Sequence, residues 1–105
     1  MKNEEKIELH EEVCKSIHNM YIDKNNDYGD SVHDTFEKFG MDAFTVRMYD
    51  KLNRIYALTR PETEHRVSSE KIEDTLLDLA NYAILAFIEL QDRKVKTYEN
   101  IKATE

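Results

Sequence analysis

The chain has 105 residues, 35% of them charged, and a formal net charge of −7, which fits one domain or one protomer of a small oligomer. That charge argues against a general duplex-binding role, because a nucleic-acid backbone demands a basic footprint. A single cysteine excludes an internal disulfide. With no signal-peptide pattern and no apolar run of membrane length, the chain reads as cytoplasmic with no membrane partner.

Two Gly and one Pro leave little turn chemistry, and aliphatic residues recur at spacings of 3 and 4. The expected fold is all-α. Glu4 to about Lys24 reads as a first helix, with His10, Cys14, Ile17, Met20, Tyr21 and Lys24 in phase. Its early acids suit the positive end of the helix dipole. His10, Cys14 and His18 fall four apart, a spacing that two histidines and a thiol reach by chance on a long helix. The helix is expected to stop within Asn25 to Asp30, which is turn chemistry around Gly29.

Ser31 to Phe39 reads as a short second helix, with Ser31 and Asp34 placed as in a capping box and Gly40 ending it. Met41 to Thr59 is the third. Phe44, Met48, Leu52 and Ile55 form its apolar stripe, and it must end before Pro61. Arg60 to Ser69 reads as a loop, with Ser68 or Ser69 capping a fourth helix over Glu70 to Gln91. The ends, about 1–4 and 95–105, are expected to fray. The resulting plan is a single helical domain over 1–105, a compact bundle of three long helices and one short. Leu79 to Leu90 is apolar nearly all the way round, so it should be buried in a core or a subunit contact, with dimerisation completing the core.

Three features carry possible chemistry. On the fourth helix Asp74, Asp78 and Asn81 fall within roughly 60° of arc, with Glu70 bordering them. Asp78 stands between Leu76-Leu77 and Leu79-Ala80, where a carboxylate is costly unless paired, hydrogen-bonded or bound to a metal. Asp74 and Asp78 can share a Mg²⁺, with Glu70 or Glu73 adding an oxygen. Alternatively Asp78 pairs with Arg47, Lys51 or Arg54. These three cations also lie within roughly 60° of arc on the third helix, a grouping that can hold phosphate. In the first turn, Tyr28 can stack on a base and Asp27 can orient a sugar or a base edge.

Asp27-Tyr28-Gly29-Asp30-Ser31, then Arg47 to Ile55, then Glu73 to Ala83 together resemble the first nucleotide-modification-associated domain family. That family is one of small helical proteins and is common in bacteriophages and mobile elements. More distantly the plan is similar to all-α nucleotide pyrophosphohydrolases of the MazG type. The resemblance implies Glu73, Asp74 and Asp78 as metal ligands, with Asp74 and Asp78 catalytic. It implies Arg47, Lys51 and Arg54 on phosphate, and Asn81, Asp27 and Tyr28 on ribose or base. The acid pairs of those hydrolases are not reproduced residue for residue. Two activities are therefore expected in competition. One is Mg²⁺-dependent cleavage of a (deoxy)nucleoside triphosphate. The other is binding without cleavage, as in a phage protein that sequesters a signalling nucleotide of host defence.

Overall fold

A computed structural model describes residues 1–28, 30–62 and 65–104, with the side chains of 27, 28 and 65–70 left aside. The order is α1 (Asn3–Tyr28), α2 (Ser31–Phe39), α3 (Asp42–Leu58) and α4 (His65–Ala103). Three long helices and one short one are what the periodicity predicts, and no strand occurs among the described residues. Among them, too, no helix is long and apolar enough to cross a membrane.

The ends of the elements follow local chemistry. Gly40 adopts φ 66°, and its N–H donates to the Phe36 carbonyl at 2.7 Å. This is the left-handed cap that closes a helix when the residue after it has no Cβ. α3 closes before Pro61, and the Arg60 guanidinium covers Tyr56. Its Nε donates to the Tyr56 carbonyl at 3.0 Å while its Cζ lies 3.7 Å from the centre of the Tyr56 ring.

Two helices run longer than the sequence suggests. α1 continues through Asn25, Asn26 and Asp27 to Tyr28. Asn and Asp each cost at most roughly 0.7 kcal/mol in a helix relative to Ala, so a short polar run does not stop one. The end of α1 at Tyr28 still falls within the Asn25 to Asp30 stretch where the stop is expected, and Gly29 itself lies outside the described residues. α4 starts at His65, ahead of Ser68 and Ser69, and extends past Lys94 to Ala103. No Gly or Pro interrupts 65–104, and only those residues exact a large helix penalty. The side chains of Ser68, Ser69 and Glu70, to which cap and acid roles were assigned, lie outside the described residues.

The contacts divide the chain into two units, Met1–Ser31 and Val32–Glu105. The first is α1 with its following bend. Among its described side chains only Val13 and Ile17 are half-buried. His10 Nδ1 and Cys14 Sγ lie 3.9 Å apart on its exposed surface.

The second unit holds a core of Phe36, Phe44, Leu85 and Ala86, flanked by Val32, Met48, Tyr82 and Leu90. Phe36 is fully buried and its ring centroid lies 5.7 Å from that of Phe44. Burying one such ring stabilises by roughly 1.5–3 kcal/mol. α3 lies along α4, presenting Phe44, Met48, Lys51, Ile55 and Leu58. These positions are spaced alternately by 4 and 3, as helix packing requires. Leu52, assigned to the inner stripe from sequence, is instead 54% exposed, and Lys51 takes the inward position.

α4 departs most from expectation. Of its apolar stretch Leu79 to Leu90, the buried members are Leu85, Ala86 and the charged Glu89. Ile84, Phe87 and Ile88 are exposed. The cause is geometric. α2 and α3 cover one side of α4, and a helix apolar all round needs cover on both.

Candidate functional site

The packed faces of α3 and α4 bring together the sequence-assigned charges. Lys51 Nζ lies 3.2 Å from Asp78 Oδ2. One turn further along α4, Arg47 reaches Tyr82. Its Nη1 donates to the Tyr82 hydroxyl at 3.5 Å and its Cζ lies 5.7 Å from the ring centre. Arg54 continues the same stripe of α3 and is exposed. The order follows from register: 47, 51 and 54 repeat at 4 and 3, as do 78 and 82 on the opposing helix.

Asp78 does not meet the desolvation cost that its aliphatic neighbours in sequence imply. Its side chain is 50% exposed, because α3 shields one flank only and water reaches the other. Its partner Lys51 is the less exposed of the two. Glu73 and Asp74 are exposed and Asn81 is half-buried. Among the described residues, no three-acid group including Glu73, Asp74 and Asp78 gathers its oxygens within 4.8 Å. As placed, these carboxylates do not fit a three-ligand Mg²⁺ site. The side chains of Asp27 and Tyr28, assigned to a base and a sugar, lie outside the described residues.

A second polar cluster, not assigned from sequence, lies further along α4. His33 Nδ1 of α2 donates to Glu89 Oε2 at 2.7 Å and lies 3.8 Å from Asp92 Oδ2. Its Nε2 faces Glu37 at 3.7 Å and Lys96 Nζ at 3.4 Å. Lys96 is held by Asp92 at 3.0 Å. The Arg93 guanidinium roofs Phe36 at 4.3 Å from its ring centre. The hydrogen bond to Glu89 holds the His33 pKa above the usual 6.5, against the lowering effects of partial desolvation and of Lys96. Lys96 is likewise raised, first by its bond to Asp92. The reasoning applied to Asp78 would have found this cluster. Glu89 stands between Phe87-Ile88 and Leu90, and it shares the helix face of Asp78 and Leu85.

The chemistry available differs between the two clusters. At α3–α4, cations stand at an open surface, and one is neutralised by a carboxylate that water already reaches. Phosphate oxygens can replace that carboxylate without a burial penalty. Around His33, acids and bases are already matched, and the cluster ties α2 to α4.

A family model described as nucleotide modification associated domain 1 matches residues 24–90. The chain therefore belongs to that family, and the match takes in both clusters up to Glu89. No curated protein and no solved structure matches the chain.

Proposed function

With that membership as the premise, we propose that the protein serves nucleotide modification by binding a nucleotide through its phosphates on the α3–α4 face. Arg47, Lys51 and Arg54 supply the charge-assisted contacts, and Asn81 contacts ribose or base. The observation that carries this reading is the Lys51–Asp78 pair at 3.2 Å. A half-exposed carboxylate already occupies the place a phosphate oxygen would take at the Lys51 ammonium, and Arg47 and Arg54 stand on the same stripe of α3.

Because Glu73, Asp74 and Asp78 do not converge, binding without Mg²⁺-dependent cleavage is the reading the geometry favours. The ligand class then includes signalling nucleotides that a cytoplasmic phage-type protein would sequester. Melting temperature is the first readout, taken with nucleoside mono-, di- and triphosphates and cyclic dinucleotides, each in Mg²⁺ and in EDTA. A rise that survives EDTA and disappears in Arg47→Ala is expected. A rise that needs Mg²⁺, together with pyrophosphate release from a triphosphate, would place the hydrolase reading ahead. No rise with any nucleotide would leave the stripe a structural ion pair.

A further inference from the structure

The inner face of α4 is fixed by its contacts: Asp78, Tyr82, Leu85, Glu89, Arg93 and Lys96 all meet α2 or α3. Turning half-way round the helix brings a second series into line. Leu77, Ala80, Ile84, Phe87, Tyr98 and Ile101 recur at 3 and 4, with Gln91 and Lys94 filling the two remaining places. All are exposed, Phe87 and Tyr98 at 64% each. A soluble helix normally turns its polar side away from the core. Here the side away from the core is the more apolar one. Leu76, Ile88 and Val95 lie beside it and are exposed too, so the apolar side chains form one continuous face, the kind that marks a contact surface.

We infer that this outer face of α4 is the contact through which two copies of the chain pair, with their α4 helices antiparallel. The spacing is that of a coiled-coil seam. The charges select orientation. On the outer face itself, the N-terminal part of α4 carries Glu73, and the C-terminal part carries Lys94 and Lys102. Parallel pairing would bring like charges together at both ends. Antiparallel pairing sets acid against base and opposes the two helix dipoles. Overlapping the whole seam pairs Leu77 with Ile101, Ala80 with Tyr98, Ile84 with Lys94 and Phe87 with Gln91 of the other copy, so a small residue meets a large one at the ends and the apolar stems of Lys94 and Gln91 cover Ile84 and Phe87 at the centre. The same overlap sets Glu73 close to Lys102. A two-fold interface needs such self-complementarity, since one patch must serve both sides.

The experiment is the solution mass of the full chain by light scattering across a concentration series, with orientation read by disulfide trapping. Twice the 12.5 kDa chain mass is expected, falling to 12.5 kDa in Ile84→Lys and Phe87→Glu with helical content unchanged. Both positions are exposed within one chain, so neither substitution disturbs its core. In a Cys14→Ser background, mixing Leu77→Cys with Ile101→Cys should trap a disulfide dimer that Leu77→Cys alone does not give. A monomeric parent at all concentrations, or charge variants that stay dimeric, would overturn the interface. Trapping by Leu77→Cys alone would overturn the antiparallel arrangement.

Discussion

Asp78 and Glu89 lie about three turns apart on the same face of α4, yet one is half in water and the other is 7% exposed. Each is a carboxylate flanked by aliphatic residues in sequence, and each meets a base from another helix. The difference lies in what stands around them. Lys51 reaches Asp78 from α3 and leaves the far side open. Glu89 is closed in beside the Phe36 core and meets His33 at 2.7 Å. Apolar neighbours in sequence therefore do not measure burial. Cover by a second helix does, and it favours the end of α4 that holds the aromatic core.

The largest effect expected from this contrast belongs to Phe36. Phe36→Ala should cost about 3–5 kcal/mol, as an unrefilled aromatic cavity does, read as a lower denaturation midpoint. The loss should also detach the Arg93 roof and loosen α2 at the His33 end first. Hydrogen exchange that rises in α2 before α3 would bear this out, and uniform exchange would show that the two regions open together.

Glu89→Ala should lower the melting temperature by less than Phe36→Ala but clearly more than any change at Asp78. It removes the charge-assisted acceptor of His33 from a closed position. Equal effects at 78 and 89 would erase the distinction between the regions.

The His33 end should also make stability depend on pH. The folded pKa of His33 is raised, so the folded state binds the proton more tightly than the unfolded chain. The stabilisation is then fully present below the unfolded value of about 6.5 and is lost as pH rises through the raised folded value. Two partners shift in the change. Protonated, Nε2 faces Glu37 as a donor. Neutral with Nδ1–H on Glu89, it can accept from Lys96. Melting temperature followed from about pH 6 to pH 8.5 should fall through this range, and Glu89→Gln should flatten the fall. A parent profile as flat as the variant's would remove the cluster's role.

How much of this was legible in the sequence follows the same division. Helix number, the Ser31–Phe39 element and the Gly40 stop were readable, because they rest on period, capping and a residue without Cβ. The α3 cation stripe was readable as a row, and its facing acid was correctly sought at Asp78. The register within α3 was not, since Leu52 and Lys51 are neighbours and either fits an inward slot until α4 is in place. The length of α4 was not legible, because weak polar residues at either end of Glu70 to Gln91 do not stop a helix that meets no Gly or Pro. Glu89 was legible as a carboxylate among Phe87, Ile88 and Leu90 on the face of Asp78; its partner was not, because His33 lies 56 residues away on a helix whose sequence gives no hint of what it faces.

The smallest effect on folding, and the sharpest on the proposed site, belongs to Asp78. An exposed ion pair is worth about 0–1 kcal/mol, so Asp78→Asn should leave the denaturation midpoint nearly unchanged. It also removes the carboxylate that competes for Lys51, leaving that ammonium beside Arg47 with no acid at 3.2 Å. If phosphate takes that place, Asp78→Asn should bind nucleotides more tightly and Lys51→Ala more weakly, the latter by about tenfold or more for a lost charge-assisted contact. If instead Asp78 holds a metal, Asp78→Asn should weaken binding wherever Mg²⁺ is required. Titration of both variants by calorimetry, with and without Mg²⁺, separates the two. The opposite signs matter more than the magnitudes, because the competition argument requires Asp78→Asn and Lys51→Ala to move affinity in opposite directions while stability stays almost level.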